Sequence, residues 1–200
     1  SPLGIGKDIF WEGLKAGKNG VSRITFFDPS SFASQMAAEV KDFDPNQFMD
    51  KKEARRLVRF IQFAVAASKL AVADANLKIT EKNSNDIGVI IGSGIGGISF
   101  MEEQAYVLRD RGPKKLSPFT VPFMITNMAA GQVAIELNAK GPNSCVVTAC
   151  ATGTHAIGDS FRILQRGEAA AMIAGGTEAS ITPLGIGSFC ASRALSTRNH

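Results

Sequence analysis

Apolar and polar positions follow two different periods along the chain. From Asp50 to Ala75 small or apolar residues recur every three or four positions, which predicts one long helix with a single buried stripe. Asp50 is suited to cap its first turn, because Glu53 follows three positions later. Two short apolar runs, 87–91 and 170–174, are typical of strands that are covered on both faces of a parallel sheet.

The intervening segments predict further helices and one more strand. Helices are expected over 99–109, 124–137 and 150–165, and a strand over 144–148, whereas Gly112, Pro113, Pro118 and Pro122 predict a long loop. The first forty or so residues give no strong periodic signal and are expected to be irregular, with a short helix possible over 9–16. Strands and helices thus alternate, which predicts a layered α/β structure.

Composition narrows the class of protein. The chain has 200 residues, 44% hydrophobic and 20% charged, as expected for a globular domain with one sizeable core. Its net charge of +4 is too small and too dispersed to indicate nucleic-acid binding. No apolar run approaches the roughly 20 residues that span a bilayer. Three cysteines without a CxxC pair favour a reducing compartment over a disulfide framework. We therefore predict a soluble protein.

Cys150 lies at the junction between the predicted strand 144–148 and the predicted helix 150–165. The first turn of a helix carries unpaired N–H groups and the positive end of the dipole, which favour a reactive thiolate. A small, buried, unreactive thiol is the alternative. Gly153 and Gly158 interrupt the interior of this helix, which predicts that a ligand or another backbone approaches closely and that the helix is deeply buried.

His155 is the histidine nearest to Cys150 in the sequence. Five helical residues rotate by about 500°, so that His155 would point some 140° away from the thiol and would not serve as its base. Cys145, Cys150 and His155 also lack the spacing of a zinc site, and no metal is predicted.

Gly92, Gly94 and Gly97 form a G-x-G-x-x-G pattern after a predicted strand and before a predicted helix. A dinucleotide site would also need a second strand with an acidic residue about 20 positions later. The segment 111–118 contains two prolines and no acidic residue, so this reading is disfavoured. The glycines then serve either a tight, closely packed strand exit or a loop that shapes a substrate pocket.

A basic cluster opens the predicted long helix, formed by Lys51, Lys52, Arg55 and Arg56. The helix N-terminus is an unfavourable end for cations. The cluster is either a solvated face or an electrostatic docking site for an acidic partner.

Several segments together resemble one known family. The strongest is 147–158 around Cys150, and 172–178 and 182–187 follow it. Segments 92–97, 117–122 and 193–199 match as well. The chain resembles the β-ketoacyl-acyl-carrier-protein synthases over essentially its whole length, and within them the type II elongating ketosynthases of fatty acid synthesis.

This resemblance implies a thiolase-like fold with two similar α/β halves in an α/β/α/β/α arrangement. Residues 1–200 would cover most of the first half, without its opening strand and without the C-terminal half. Cys150 would accept an acyl chain as a thioester, and malonyl-acyl carrier protein would then lose CO₂ and attack it, lengthening the chain by two carbons. The N–H of Cys150 would supply one oxyanion-hole donor. No cofactor is implied.

The resemblance also implies roles for other residues. Ile95 and Phe189 correspond to acyl-pocket positions, and Phe123 and Met124 are assigned to the pocket where it meets the dimer interface. Docking of the acidic acyl carrier protein is implied for four basic residues: Lys52, Arg55, Arg56 and Arg193. The expected assembly is a homodimer in the cytoplasm, or in a plastid or mitochondrion of a eukaryote, with no nucleic-acid or membrane partner.

The family also needs two histidines and a lysine that lie in its second half. Their absence from this sequence predicts a portion of a longer enzyme that is inactive by itself. A noncatalytic partner subunit, similar to a chain-length factor, is an alternative that the retention of Cys150 disfavours. A polyketide ketosynthase remains a further alternative.

Overall fold

The computed structural model describes residues 1–200, which divide into two compact units. The terminal unit comprises Ser1–Asp44 and Ser180–His200, and the sheet unit comprises Pro45–Ala179. In chain order the elements are α1 (Lys7–Lys15), β1 (Ser22–Arg23), β2 (Met36–Ala37), α2 (Lys51–Ala54), α3 (Arg59–Asp74), β3 (Ile87–Gly92), α4 (Ile98–Arg111), α5 (Thr120–Met124), α6 (Met128–Leu137), β4 (Asn143–Ser144), α7 (Thr152–Gln165), β5 (Ala171–Gly176) and α8 (Pro183–Ala191).

The sheet unit is built on three parallel strands in the order β4-β3-β5. Val89 of β3 lies opposite Asn143 of β4 and Ile173 of β5. Every residue of β3 is buried, as expected for a central parallel strand. The two predicted apolar strands and the α/β class are therefore confirmed.

Helices cover both faces of this sheet. Ile87, Val89 and Ile91 belong to the main core together with buried side chains of α3 and α6, among them Phe60, Ile61, Val65, Ala129 and Val133. On the opposite face α7 packs against β3 and β5. Each fully buried Ile, Val or Phe contributes about 1.5–3 kcal/mol, so this core is the main source of the unit's stability.

The single long helix predicted over 50–75 is wrong, because the chain forms α2 and α3 with a break between them. Val58 is extended at the break, and the side-chain amide of Gln62 donates to the carbonyls of Ala54 and Leu57 at 2.7 and 2.9 Å. These bonds satisfy carbonyls that a helix break would otherwise leave unpaired. Asp50 does cap α2, accepting from the Lys52 N–H at 2.8 Å.

The segment predicted as a loop around Pro118 and Pro122 is partly helical. Pro122 lies in the first turn of α5, where its missing N–H would have no helical partner in any case. The helix predicted over 124–137 begins only at Met128. The strand predicted over 144–148 is also shorter than expected, since only Asn143 and Ser144 pair with β3.

The expectation that α7 is deeply buried is wrong for half of its surface. Thr152, Ala156 and Ser160 are buried, whereas Ile157 and Phe161 are 58% and 55% exposed. The small residues face the sheet because they permit a close approach. The large apolar side chains Ile157 and Phe161 lie on the other side of the helix.

The terminal unit is less irregular than predicted. It contains α1, the antiparallel pair β1–β2 and α8, which begins at a cap where the Thr182 hydroxyl accepts from the Gly185 N–H at 3.0 Å. Glu39 is buried and holds the chain after β1. None of the helices is long and apolar enough to span a bilayer.

Candidate functional site

Cys150 lies in a short 3-10 turn, Ala149–Ala151, directly before α7. It is exposed, whereas Cys145 and Cys190 are partly buried. The thiol is therefore one turn ahead of the α-helix proper, at the predicted junction and open to reagents. The alternative of a buried thiol is therefore wrong, and the reactivity of Cys150 stays a prediction.

The turn around Cys150 is held in an unusual conformation. Ala149 has a φ of 51°, a left-handed conformation that costs a non-glycine residue about 1–2 kcal/mol. The buried hydroxyl of Thr152 accepts from the Thr148 N–H at 2.9 Å, and this bond joins the two ends of the turn. The turn's own bonds run from the N–H of Ala151 and from that of Thr152, so the Cys150 N–H is not used within it.

His155 is not bonded to Cys150, in agreement with the rotation predicted from the sequence. Its Nδ1 lies 3.3 Å from the Thr148 hydroxyl and its Nε2 lies 3.4 Å from Asp159 Oδ2. Thr148 precedes α7 and Asp159 lies in α7, so the imidazole is held at the surface beside the turn.

The glycine loop, residues 92–97, lies directly beside this turn. A Cβ placed on Gly94 would be 3.5 Å from the Ala149 Cα. On the other side of the loop, Gly97 donates its N–H to the Met124 carbonyl at 3.2 Å, and a Cβ there would be 1.8 Å from the Phe123 carbonyl oxygen. The structure thus brings the Cys150 turn, the loop of Ile95 and the Phe123–Met124 segment together.

The side chains of this group differ in accessibility. Ile95 is 36% exposed, and Phe123 is 8% exposed and stacks on Phe119 with ring centroids 5.3 Å apart. Met124 is partly buried. Of these three apolar side chains, Ile95 is the most accessible, whereas Phe123 belongs to the main core.

The amide donors of the glycine loop bind a carboxylate of the protein itself. Glu178 accepts from the Ile95 N–H at 3.0 Å and from the Ser93 hydroxyl at 3.2 Å. The Ile95 N–H is thus already bonded to the protein and is not open to a pyrophosphate, which disfavours the dinucleotide reading. A Cβ on Gly92 would lie 2.1 Å from the Val146 carbonyl oxygen, as expected for a closely packed strand exit. The pocket-shaping role of the loop stays a prediction. Glu178 and Ser93 lie in the recognised segments, but nothing in their spacing indicated that they meet.

The prediction that interior glycines mark a close approach holds at one of two positions. Gly153 of α7 faces Gly176 of β5, where a Cβ would lie 3.0 Å from the Gly153 Cα. A Cβ on Gly158 would meet nothing within 4 Å. The second glycine therefore has no packing reason in this structure.

The predicted docking residues Lys52, Arg55 and Arg56 are exposed on and just after α2. We call these three residues the basic patch. Glu53 of the same helix is engaged elsewhere, since a hydrogen bond to Glu136 raises its pKa. Glu136 in turn accepts from Lys69 at 2.7 Å. The acid of α2 therefore does not neutralise the basic patch.

The remaining predicted site residues belong to the terminal unit. Phe189 lies in α8 and is 41% exposed, and Arg193 follows the helix with a left-handed φ of 57°. No three His, Cys, Asp or Glu side chains converge as a metal site would require.

Comparison with known proteins identifies relatives of the whole chain. A family model described as the N-terminal domain of beta-ketoacyl synthase matches residues 1–200. Proteins named 3-oxoacyl-[acyl-carrier-protein] synthase 2 from Synechocystis sp. and Staphylococcus aureus are 55% and 51% identical over 199 residues. The matches cover 100% of this chain and 48% and 49% of those proteins. The chain thus spans about half the length of the curated relatives it matches.

Solved structures share the fold. A type II PKS acyl-carrier protein in complex with its ketosynthase bound to the hexaketide matches with a TM-score of 0.83 and 30% identity, over 99% of this chain and 48% of that one. The ishigamide ketosynthase/chain length factor gives 0.84 and 28%, over 98% and 49%. A beta-ketoacyl synthase from Burkholderia phymatum gives 0.83 and 29%, over 100% and 49%.

Proposed function

Because this chain belongs to the β-ketoacyl synthase family and has the thiolase-like α/β fold of its members, we propose that it is the N-terminal half of an elongating ketosynthase of fatty acid synthesis. The relatives at 51–55% identity are named for 3-oxoacyl-acyl-carrier-protein synthesis. The proposed reaction is carried out by the full-length protein. This half supplies the nucleophile and part of the acyl site.

In the first step the Cys150 thiolate attacks the thioester of an acyl chain carried by acyl carrier protein. The new bond joins Sγ to the acyl carbonyl carbon, and the carrier's thiolate leaves with the electron pair and takes up a proton. The acyl chain then lies along the apolar side chains of Ile95, Phe123 and Met124. Phe189, in the terminal unit, stays a predicted acyl-pocket residue.

In the second step malonyl-acyl carrier protein loses CO₂, and the electron pair of the broken carbon–carbon bond attacks the acyl carbonyl on Cys150. The Sγ–carbon bond breaks, the cysteine thiolate is regenerated, and the product carries two more carbons. The negative oxygen formed during each attack accepts a hydrogen bond from the Cys150 N–H, because that donor is not used within the turn.

One observation carries this proposal. Cys150 is the only one of the three cysteines that is exposed, its N–H is not used within the turn, and the loop that carries Ile95 lies beside the turn. A nucleophile, an oxyanion donor and an acyl surface are the three elements that acyl transfer through a thioester requires.

We propose that the basic patch receives the acidic acyl carrier protein through complementary charge. Arg193, in the terminal unit, stays a predicted docking residue. The related ketosynthase that was solved with its acyl-carrier protein supports this choice of partner. We further propose a homodimer, with the segment of Phe123 and Met124 near its interface, and a cytoplasmic location, which suits three unpaired cysteines.

A polyketide ketosynthase is disfavoured, because the structures of that class are 28–30% identical whereas the fatty acid synthases are 51–55% identical. A noncatalytic partner subunit is disfavoured by the exposed Cys150.

Alkylation of the full-length protein tests the proposal. Iodoacetamide should label Cys150 ahead of Cys145 and Cys190, as read by peptide mapping, and prior incubation with acyl-acyl carrier protein should protect it. Labelling of Cys150 without any protection by the acyl substrate would count against a ketosynthase. Free acyl carrier protein without an acyl chain is the matched control and should not protect.

A further inference from the structure

Glu178 joins three residues of the glycine loop into one hydrogen-bonded group. Its carboxylate accepts from the Ile95 N–H at 3.0 Å and from the Ser93 hydroxyl at 3.2 Å. The Ser93 oxygen in turn accepts from the Gly96 N–H at 2.9 Å, and Ser93 is only 1% exposed. The backbone on both sides of Ile95 is therefore fixed by one carboxylate and one buried hydroxyl.

Glu178 is itself held in place by the residue before it. The Thr177 N–H donates to the Gly92 carbonyl at 3.0 Å, and the Thr177 hydroxyl donates to the Phe60 carbonyl of α3 at 2.6 Å. The carboxylate thus projects from the end of β5, which is tied to the core. A rigid support of this kind fixes what it binds.

The loop needs such a support because its own backbone is permissive. Four of its six residues are glycines, Gly92, Gly94, Gly96 and Gly97, and Gly96 adopts a φ of 75°. Glycines leave many backbone conformations accessible, so that hydrogen bonds must select one of them. Without the bond to Glu178, the position of the Ile95 side chain would be poorly defined.

We propose that Glu178 is a positioning residue for chain-length selection, which fixes the wall that Ile95 presents to the acyl chain beside Cys150. This inference rests on the proposed function, since it assumes that an acyl chain lies there. Glu178 does not touch the reacting atoms in this account. It acts through the backbone of Ile95.

The test uses the full-length enzyme and the Glu178→Gln variant. A glutamine side chain has one acceptor oxygen in place of two, so it no longer satisfies both the Ile95 N–H and the Ser93 hydroxyl. Released from its anchor, Ile95 should exclude longer chains less well. Glu168→Gln is the matched control, because Glu168 pairs with Arg166 and does not bind the loop.

The readout is the rate of Cys150 acylation from acyl carrier proteins that carry a long or a short chain. We expect the long-to-short ratio of these rates to rise about three- to tenfold in Glu178→Gln, as for the loss of one hydrogen bond. The rate of iodoacetamide alkylation of Cys150 should stay within about twofold of the parent in the same variant. Glu168→Gln should leave both measurements unchanged.

A double-mutant cycle separates positioning from a general structural effect. Ile95→Ala should raise the same ratio by itself, and Glu178→Gln in the Ile95→Ala background should add nothing, because no wall is left to position. Should Glu178→Gln fail to fold, Ser93→Ala removes the second support of the loop and must raise the ratio instead.

Two results overturn the inference. One is an unchanged ratio in a folded Glu178→Gln variant whose parent is acylated, and the other is an additive effect in the Ile95→Ala background. If no acyl-acyl carrier protein acylates Cys150 of the unmutated enzyme, the proposed function is overturned as well. Acylation of the unmutated enzyme therefore distinguishes the failure of the proposed function from the failure of this inference.

Discussion

At the scale of single residues, the site depends on the turn that places Cys150 directly before α7. Ala149 is left-handed, and the Thr148–Thr152 hydrogen bond at 2.9 Å closes the turn beneath the thiol. The strained residue is tolerated because this hydrogen bond and the start of α7 determine the backbone on either side.

Removing this hydrogen bond should loosen the turn. Thr152→Val keeps the shape of the side chain but leaves the Thr148 N–H without an acceptor, which should lower the free energy of unfolding by about 1–3 kcal/mol. Thr152→Ser keeps the hydroxyl and should lose less. Denaturant unfolding of both variants checks this, and a valine variant as stable as the serine variant would show that the bond contributes nothing.

The accessible length of the acyl chain should depend on Ile95. Ile95→Phe adds volume to the wall beside Cys150 and should shorten the longest chain that the full-length enzyme accepts. Ile95→Leu conserves the volume and should leave the product profile nearly unchanged. Mass spectrometry of the products compares the chain lengths that the two variants make. The same chain lengths in Ile95→Phe and Ile95→Leu would contradict the assignment of Ile95 to the pocket.

Residue-level prediction succeeded where the signal was local and failed where it was not. Cys150 stands at a boundary between two patterns that are visible in the sequence, and the orientation of His155 follows from helix geometry alone. The bond between Glu178 and Ile95 joins residues 83 positions apart, and Ala149 is left-handed although it is not a glycine. Neither has a signature in residue type or spacing.

At the scale of elements, the position of α7 on the sheet is set by a close approach to β5. Gly153 and Gly176 meet there, and a Cβ on Gly176 would be 3.0 Å from the Gly153 Cα and 3.1 Å from its nitrogen. Both neighbours are backbone atoms, so α7 would have to move to accommodate a side chain. Cys150, at the start of this helix, would move with it.

Two glycine substitutions should therefore have opposite effects. Gly158→Ala, in the interior of α7 where a Cβ meets nothing within 4 Å, should raise the free energy of unfolding by up to about 1 kcal/mol through helix propensity. Gly176→Ala should lower it by about 1–3 kcal/mol through overpacking. Thermal and denaturant unfolding measure both, and a neutral Gly176→Ala would contradict the close approach.

The bounds of β3 and β5 were predicted to within two residues, because a short run of apolar residues that ends in glycine leaves little choice of structure. The break between α2 and α3 was missed because the apolar stripe continues in phase across it. At the end of α2, the side-chain amide of Gln62, a residue of α3, donates to the carbonyls of Ala54 and Leu57. Such long side-chain bonds are invisible to periodicity.

At the scale of the whole molecule, each compact unit has its own polar support. In the terminal unit, Glu39 accepts from the N–H groups of Thr25 and Phe26 at 2.9 and 3.0 Å, and from the Thr25 hydroxyl at 2.9 Å. Burial raises the pKa of Glu39, but these bonds and Lys41 outweigh burial and hold the pKa below its ordinary value.

The terminal unit should consequently weaken in acid. A carboxyl whose pKa is lowered by folding stabilises the fold above its ordinary titration range, and this contribution is lost as the pH falls through the lowered pKa. Hydrogen exchange of the Thr25 and Phe26 amides should therefore accelerate in acid beyond the intrinsic pH effect. Glu39→Gln should remove the extra dependence, and its persistence in that variant would exclude Glu39 as the source.

Charge reversal on the basic patch should impair use of the carrier protein alone. Lys52→Glu combined with Arg56→Glu should lower kcat/KM for carrier-bound acyl groups, and increasing salt should reduce the difference from the parent. Alkylation of Cys150 by iodoacetamide should be unaffected. Lys114→Glu with Lys115→Glu, an equal change of charge at another exposed pair, is the control. An equal kcat/KM for carrier-bound acyl groups in the parent and the patch variant would contradict the assignment of these residues to docking.

The central claim is that Cys150 accepts the acyl chain, and direct acyl transfer tests it best. The full-length protein is incubated with acyl-acyl carrier protein in the absence of malonyl substrate and then digested for mass spectrometry. We expect one acyl group per chain, on the peptide of Cys150 and lost in Cys150→Ala. An acyl group on Cys145 or Cys190, or none on any cysteine, would contradict it.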